Sequence, residues 1–206
     1  MILSRTVRVA APALAALTLT MAFAGPASAS PALVTRSGSQ ILFTAQPGET
    51  NTVTFEILVN NTFKVSDTTS QVIAGPGCQQ SGPNAAICGL GVGPSGVTRI
   101  LATLGDRNDS ATNNTSVPSD IIGGEGDDRL RGGSGPDRLI DSDGWNAVPG
   151  SNTFAGREGN DTIISRNGGF DRIDCGENPL DFDFLLADSA TLDTVVPNTC
   201  EFVQRS

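Results

Sequence analysis

GGEGDDRLR (Gly123 to Arg131) and GGSGPDRLI (Gly132 to Ile140) lie back to back in the second half of the chain. Each block fits G-G-x-G-x-D-x-U-x, where U is a large apolar residue. The glycines permit a tight turn with positive φ. The sixth slot, Asp128 or Asp137, brings a carboxylate into that turn. The eighth slot, Leu130 or Leu139, opens a very short strand with its side chain inward. Repetition of such a unit predicts an all-β fold, a parallel β-roll or β-solenoid whose turns stack over one another.

The same skeleton extends outward with less fidelity. Counting nine residues on from Gly132 gives DSDGWNAVP (Asp141 to Pro149), with Gly144 in the fourth slot, Asn146 in the sixth and Val148 in the eighth. GREGNDTII (Gly156 to Ile164) places Asp161 and Ile163, and RNGGFDRID (Arg166 to Asp174) places Asp171 and Ile173. Upstream, LGDRNDSAT (Leu104 to Thr112) puts Asp109 in the sixth slot and only Ala111 in the eighth. Residues 114–122 keep Ile121 in place, and GSNTF (Gly150 to Phe154) reads as a shortened unit with Asn152 where Asp would sit.

Hard carboxylate oxygens in a glycine turn suit Ca²⁺. In a two-sided roll successive turns fall on opposite sides, so an ion sits between unit n and unit n+2. On this count Asp128 shares an ion with Asn146 on one side and with Asp109 on the other. Asp137 faces the Asn152 unit, and Asp161 looks back toward Asn146. An amide oxygen ligates without charge, so weak sites are expected, with dissociation constants of roughly 10⁻⁴ to 10⁻³ M.

These residues resemble the hemolysin-type (RTX) calcium-binding repeat family of secreted bacterial proteins. Such proteins often run a strand region with a short cysteine loop, here GPGCQQSGPNAAIC (Gly75 to Cys88), into an L-G-D-x-N-D stretch, here LGDRND (Leu104 to Asp109). They often close on D-x-I-x-C-G and a distant C-E-x-V, here DRIDCG (Asp171 to Gly176) and CEFV (Cys200 to Val203). The resemblance implies calcium as the ion. It also implies a ligand set of Gly123, Glu125, Gly126 and Asp128 in one turn, and of Gly132, Ser134, Gly135 and Asp137 in the next. Asp109, Asn146, Asp161 and Asp171 complete the candidate residues. LDFDFLLAD (Leu180 to Asp188) departs from the pattern. It reads as a capping strand with Phe182, Phe184 and Leu186 on one side and Asp181, Asp183 and Asp188 in solvent.

The first segment is a leader. Arg5 and Arg8 give a positive start, Ala10 to Ala24 is apolar, and Ala27-Ser28-Ala29 fits a small-x-small cleavage site. Export with cleavage near Ala29 is therefore expected. This departs from the one-step route, with a carboxy-terminal signal, that RTX toxins and proteases use. The apolar run is broken by Pro12 and Pro26 and falls short of the roughly 20 residues a membrane span needs, so no membrane insertion is expected.

The whole chain has 13 basic and 22 acidic residues and a net charge of −9, with no His. Without the leader the balance is near about −11, which argues against nucleic acid as a partner and favours cations. Repulsion among the acidic turns gives a reason for a calcium requirement. In an exported chain four cysteines suggest two disulfides. Of the three connectivities, sequence proximity favours Cys78–Cys88 with Cys175–Cys200.

From Ala32 to about Leu104 the texture changes. QILFTA (Gln40 to Ala45), TVTFEILV (Thr52 to Val59), TFKVSD (Thr62 to Asp67), SQVIA (Ser70 to Ala74) and GVTRILATL (Gly96 to Leu104) have the length and β-branched content of strands. Turn signals such as Pro47-Gly48 and Asn60-Asn61 separate them. The expected organisation is a leader (1–29), a small β region with the cysteine loop (30–103), the repeat roll (104–176) and a carboxy-terminal cap (177–206).

Absence of His removes Ser-His-Asp and Cys-His catalysis and the H-E-x-x-H zinc helix. GGSGP breaks the G-x-S-x-G nucleophile elbow at its last position. Arg129, Arg138 and Arg172 follow the sixth-slot residues and should point outward. The reading is a non-catalytic secreted protein that folds as it meets calcium, giving a rigid structural or adhesive element with cell-surface or polysaccharide contact. The alternative is a calcium-dependent carbohydrate-active enzyme, a lyase or glycosidase, on a small β-helix.

Overall fold

The computed structural model describes residues 30–91, 96–142 and 148–205. The expected leader and Asn146 lie outside them. The first part holds β1 (Ala32–Ser37), β2 (Gln40–Thr44), β3 (Thr52–Ile57), β4 (Thr62–Asp67), β5 (Val72–Ala74), β6 (Gln79–Gln80) and β7 (Ala85–Leu90). Then come β8 (Arg99–Asp106), β9 (Ser110–Asn113), β10 (Ser119–Glu125), β11 (Arg129–Arg131), β12 (Arg138–Ile140) and β13 (Thr153–Ala155). The last are β14 (Thr162–Ile164), β15 (Arg172–Asp174), β16 (Phe184–Ala187), β17 (Thr194–Val195) and β18 (Phe202–Arg205). Among the described residues no helix is long and apolar enough to cross a membrane.

From β8 onward consecutive strands go to alternate sheets, and every pairing is parallel. Two nine-stranded sheets result, in the order β18-β16-β14-β12-β10-β8-β2-β1-β5 and β17-β15-β13-β11-β9-β3-β4-β7-β6. This is a parallel β-solenoid, and it follows from the eighth slot. Ala102, Ile121, Leu139, Ile163 and Leu185 stand in line across the first sheet. Val53, Ala111, Leu130, Phe154 and Ile173 do the same across the second. All are buried. Each large side chain in these lines contributes about 1.5–3 kcal/mol by leaving water. A three-residue strand cannot form a core alone, so stability comes from stacking neighbours.

The region 30–103 stacks on the same two sheets. β1 and β2 form an antiparallel hairpin, and β2 then pairs in parallel with β8. β3 and β4 form another, turning at Asn61 (φ 59°), and β3 pairs in parallel with β9. Phe43 and Phe55 meet edge to face across the interior, with ring centroids 6.3 Å apart. Both expected disulfides form, Cys78–Cys88 and Cys175–Cys200.

Two stretches depart from the sequence reading. The expected unit from Asp141 to Pro149, whose Gly144 and Asn146 lie outside the described residues, does not bring its eighth slot inward: Val148 is 87% exposed, and the next inward residue described is Phe154. Gly150, Asn152 and Phe154 take the fourth, sixth and eighth slots instead. Pro149 behind Val148 has no N–H for a parallel ladder, so a strict count of nine does not hold here. In LDFDFLLAD the inward residues are Leu185 and Ala187, whereas Phe182 is 63% exposed. Phe184 stays outside because it stacks on Phe202, centroids 5.4 Å apart. Residues 177–206, expected as a cap, continue both sheets through β16, β17 and β18.

Candidate metal-binding turns

The sixth slot of each coil sits at the corner where the turn enters a strand. Its backbone N–H points along the stack, and the sixth-slot side chain of the next coil on that side accepts it. On one side of the roll Asn51 donates to Asp109 Oδ1 (2.7 Å) and Asp109 donates to Asp128 Oδ1 (2.8 Å). Asp128 then donates to Asn152 Oδ1 (2.7 Å), Asn152 to Asp171 Oδ1 (2.7 Å) and Asp171 to Asp193 Oδ1 (3.4 Å). On the other side the series is Ser119 to Asp137 (2.7 Å), Asp137 to Asp161 (2.8 Å), Asp161 to Asp183 (2.8 Å) and Asp183 to Glu201 Oε2 (2.8 Å). All of these side chains except Glu201 are buried.

This ladder revises the lateral partners. Asp128 faces Asn152 rather than Asn146, and Asp137 faces Asp161 rather than Asn152. The stretch from Asp137 to Asn152 is one step of the roll rather than the two that a count of nine gives, so every later turn falls on the opposite side. Asp183, expected in solvent, is 2% exposed and forms a rung. Asp183 and Asp193 each stand two residues before an inward apolar residue, Leu185 or Val195, and Glu201 stands two before Val203, which pairs with Leu185 on the exposed last strand. That spacing, read without glycines, is the signal that finds them.

One oxygen of each carboxylate serves the ladder, and the other decides what else it can hold. The Oδ2 atoms of Asp109, Asp161 and Asp171 are buried with no hydrogen-bond donor. Such an orphan in a dry site costs about 1–3 kcal/mol or more when charged. Asp137 differs: Gly133 N–H (2.5 Å) takes its Oδ2, while Ser119 N–H, Ser119 Oγ (2.5 Å) and Asn113 Nδ2 (3.3 Å) take its Oδ1. Asp193 Oδ2 likewise accepts Ser165 Oγ (3.0 Å) and Asp188 N–H (2.7 Å).

Burial raises the Asp109 and Asp161 carboxyls to about 8, with nearby carboxylates adding to it, Asp128 for Asp109 and Asp137 for Asp161. Burial also raises Asp171 to about 7, with help from Asp193, and Asp183 to about 6, with help from Glu201. Asp137 and Asp193 are raised by burial too, against the hydrogen bonds they accept. These groups favour a bound proton or a bound cation.

The glycines make the room. A Cβ on Gly123 would strike Asp128 Oδ2, and one on Gly156 would strike Asp161 Oδ2. Gly124, at φ +100°, lies so close to the coil before it that a Cβ would collide with the Gly105 carbonyl oxygen. Gly132 and Gly135 are buried and Gly126 is half-buried, whereas the Glu125 and Ser134 side chains are exposed. The glycines also admit carbonyls: those of Gly105, Arg107, Ser116 and Gly126 lie against Gly124, Gly126, Gly135 and Gly150 of the following coil. Among the described residues no three Asp, Glu, Cys or His side chains form a metal-holding group, so an ion here draws on those carbonyls. Ca²⁺ accepts 6–8 oxygens of mixed type, and an orphaned carboxylate oxygen in a carbonyl-lined turn fits that demand.

The fold and these turns define a parallel β-solenoid with acidic turn ladders. A sequence profile of the RTX calcium-binding nonapeptide repeat, in four copies, matches residues 122–148 and 147–169. That segment carries hemolysin-type RTX calcium-binding repeats, and calcium is the ion such repeats bind. No curated protein and no solved structure matches the chain.

Proposed function

We propose that the chain is a secreted, adhesive structural protein held in shape by calcium, with no catalytic step of its own. Asp109, Asp161 and Asp171, with Asp128 and the carbonyls of the glycine turns, hold the ions. The observation that carries this reading is the set of buried carboxylate oxygens at Asp109, Asp161 and Asp171 with no donor from the protein. Calcium, when bound, supplies the positive charge that these turns lack.

The chain does the rest. The ladder oxygens fix each carboxylate, the glycines open the space beneath it, and the lines of Leu, Ile and Phe register the coils. The amino-terminal Arg5, Arg8 and apolar stretch support export to a calcium-rich medium. At about millimolar calcium a site with a dissociation constant near 10⁻⁴ M stabilises the fold by roughly 1.4 kcal/mol.

Residues 30–206 should be melted in calcium and in excess chelator, with calorimetry for the number of ions. A calcium-dependent melting temperature and measurable binding heat are expected. An unchanged melting temperature with no heat at millimolar calcium would sink the reading.

A further inference from the structure

The two outer faces of the roll differ in charge. On the second sheet the outward positions of β11, β13 and β15 are Arg129 and Arg131, Thr153 and Ala155, and Arg172 and Asp174. They align as Arg129–Thr153–Arg172 and Arg131–Ala155–Asp174. Arg129 and Arg172 are exposed and Arg131 is half-buried. Arg157, just past β13, reaches back over the same region. Its Nη1 donates to neutral oxygens, the carbonyls of Asn113 (3.2 Å) and Gly132 (3.1 Å) and Asn114 Oδ1 (3.3 Å).

Among the described residues the ion pairs are Lys64–Glu56 and Arg99–Asp120. None of these four arginines is neutralised in that way. Burial, then the like charges of Arg129 and Arg157, push the Arg131 guanidinium down from its ordinary value. In a chain of net charge −9, unpaired arginines gathered on one flat face are a concentration of the minority sign.

Beside Arg172 the face opens into a shallow cleft of about 440 Å³ lined by Thr153, Phe170, Thr191, Thr194 and the buried Asp171. Phe170 is 64% exposed. An exposed ring next to hydroxyls and a guanidinium offers a stacking surface for a sugar ring and donors for its substituents. Arg129 and Arg172 lie two strand spacings apart, about 9.6 Å, near the length of a disaccharide.

We infer that the β11–β13–β15 face binds an extended acidic polysaccharide, its carboxylate or sulfate groups on Arg129, Arg131 and Arg172 and a sugar ring on Phe170. This names the partner for the adhesive reading and rests on it only for the partner's being outside the cell. Guanidiniums pair with planar carboxylates and with sulfates through forked donors, and the flat parallel sheet keeps them in a fixed row.

Residues 30–206, shown folded in calcium by circular dichroism, should be titrated with polygalacturonate, dextran sulfate, uncharged dextran and single-stranded DNA. Binding to at least one acidic polysaccharide, weakened by salt and absent with dextran, is expected. Arg172→Gln should weaken it several-fold, and Arg129→Gln with Arg131→Gln and Arg172→Gln at least tenfold. Arg138→Gln on the opposite face should leave it unchanged.

Binding to one of the two polymers alone would assign the anion as carboxylate or sulfate. The inference is overturned if folded protein binds neither acidic polymer, if DNA binds as well as they do, or if the triple variant, at an unchanged melting temperature, binds like the parent. Should the triple variant not fold, Arg172→Gln decides: no weakening overturns it. Each of these outcomes is separable from the calcium reading, since fold and ion uptake are measured first without polymer.

Discussion

The turns that end in Asp137 and Asp161 are neighbours on one side of the roll, and they invert their sequence ranking. GGSGPD spells the repeat in full, yet Asp137 has both oxygens engaged by Gly133, Ser119 and Asn113. GREGND lacks the second glycine, with Arg157 at φ 80° in its place, yet Asp161 keeps a buried oxygen with no donor. Fidelity to the repeat reports turn shape. Openness to an ion depends on the non-ladder oxygen: Gly133 N–H closes Asp137 Oδ2 from within its own turn, whereas Asp161 Oδ2 has no donor.

The largest expected effect falls on every open turn at once. With three sites near 10⁻⁴ M, removing millimolar calcium should cost roughly 4 kcal/mol. For a chain of this size that is a fall of about 8–16 °C in melting temperature. A melt indifferent to chelator would place Asp161 with Asp137 and erase the contrast.

The metal-free protein also gives the contrast a pH signature. Asp109 and Asp161, raised to about 8, and Asp171, raised to about 7, hold protons in the fold that the unfolded chain releases near 4. That contribution is fully present below about pH 4 and is lost as pH rises from there through 7 to 8. Metal-free melting temperature should fall over that window, and calcium should flatten the fall. A metal-free fold that gains stability from pH 4 to 8 would contradict the burial of these groups as described.

A Cβ at Gly156 meets Asp161 Oδ2 and the Cys175 carbonyl oxygen. Gly156→Ala should therefore cost about 1–3 kcal/mol by overpacking and remove an ion from the calorimetric count. Gly132→Ala should cost a similar amount of stability with the ion count unchanged, since Asp137 has no open oxygen to lose. Equal ion loss in the two variants would overturn the distinction.

Asp161→Asn gives the smallest and cleanest effect. The amide oxygen should still accept the Asp137 N–H, as Asn152 does for Asp128 at 2.7 Å. One ion should be lost, worth about 1.4 kcal/mol in millimolar calcium, while the metal-free protein at pH 8 should melt higher for want of a buried charge. Asp137→Asn should change the ion count little. A larger loss of binding from Asp137→Asn would reverse the ranking.

How much of this could be read in the chain differs by feature. The parallel roll was legible because Leu130, Leu139, Ile163 and Ile173 repeat in one slot, and a period in large apolar residues survives local variation. The rungs at Asp183, Asp193 and Glu201 were hidden because the pattern was anchored on glycine, and those turns have little of it. Lateral partnership is not legible from Asn146 onward, because an added stretch of sequence shifts which side a turn falls on without disturbing the local motif. No sequence pattern marks Gly133 N–H as the donor that closes Asp137 Oδ2. Which N–H turns onto the carboxylate depends on the turn's backbone dihedrals rather than on residue spacing.

The ladder also has a direction. Each coil's corner N–H is gripped by the side chain of the coil that follows on that side, so every turn is latched by its successor. A chain laid down from its amino end would be fastened one step behind its growing edge, like a zip whose slider trails the newest tooth. The far end has the weakest latches, with Asp171 to Asp193 at 3.4 Å and an exposed Glu201. There the Cys175–Cys200 bridge ties the same coils covalently. The disulfide thus acts as the stop at the end of the zip, and reducing it should let the roll open from β18 backward while the glycine-rich middle stays closed.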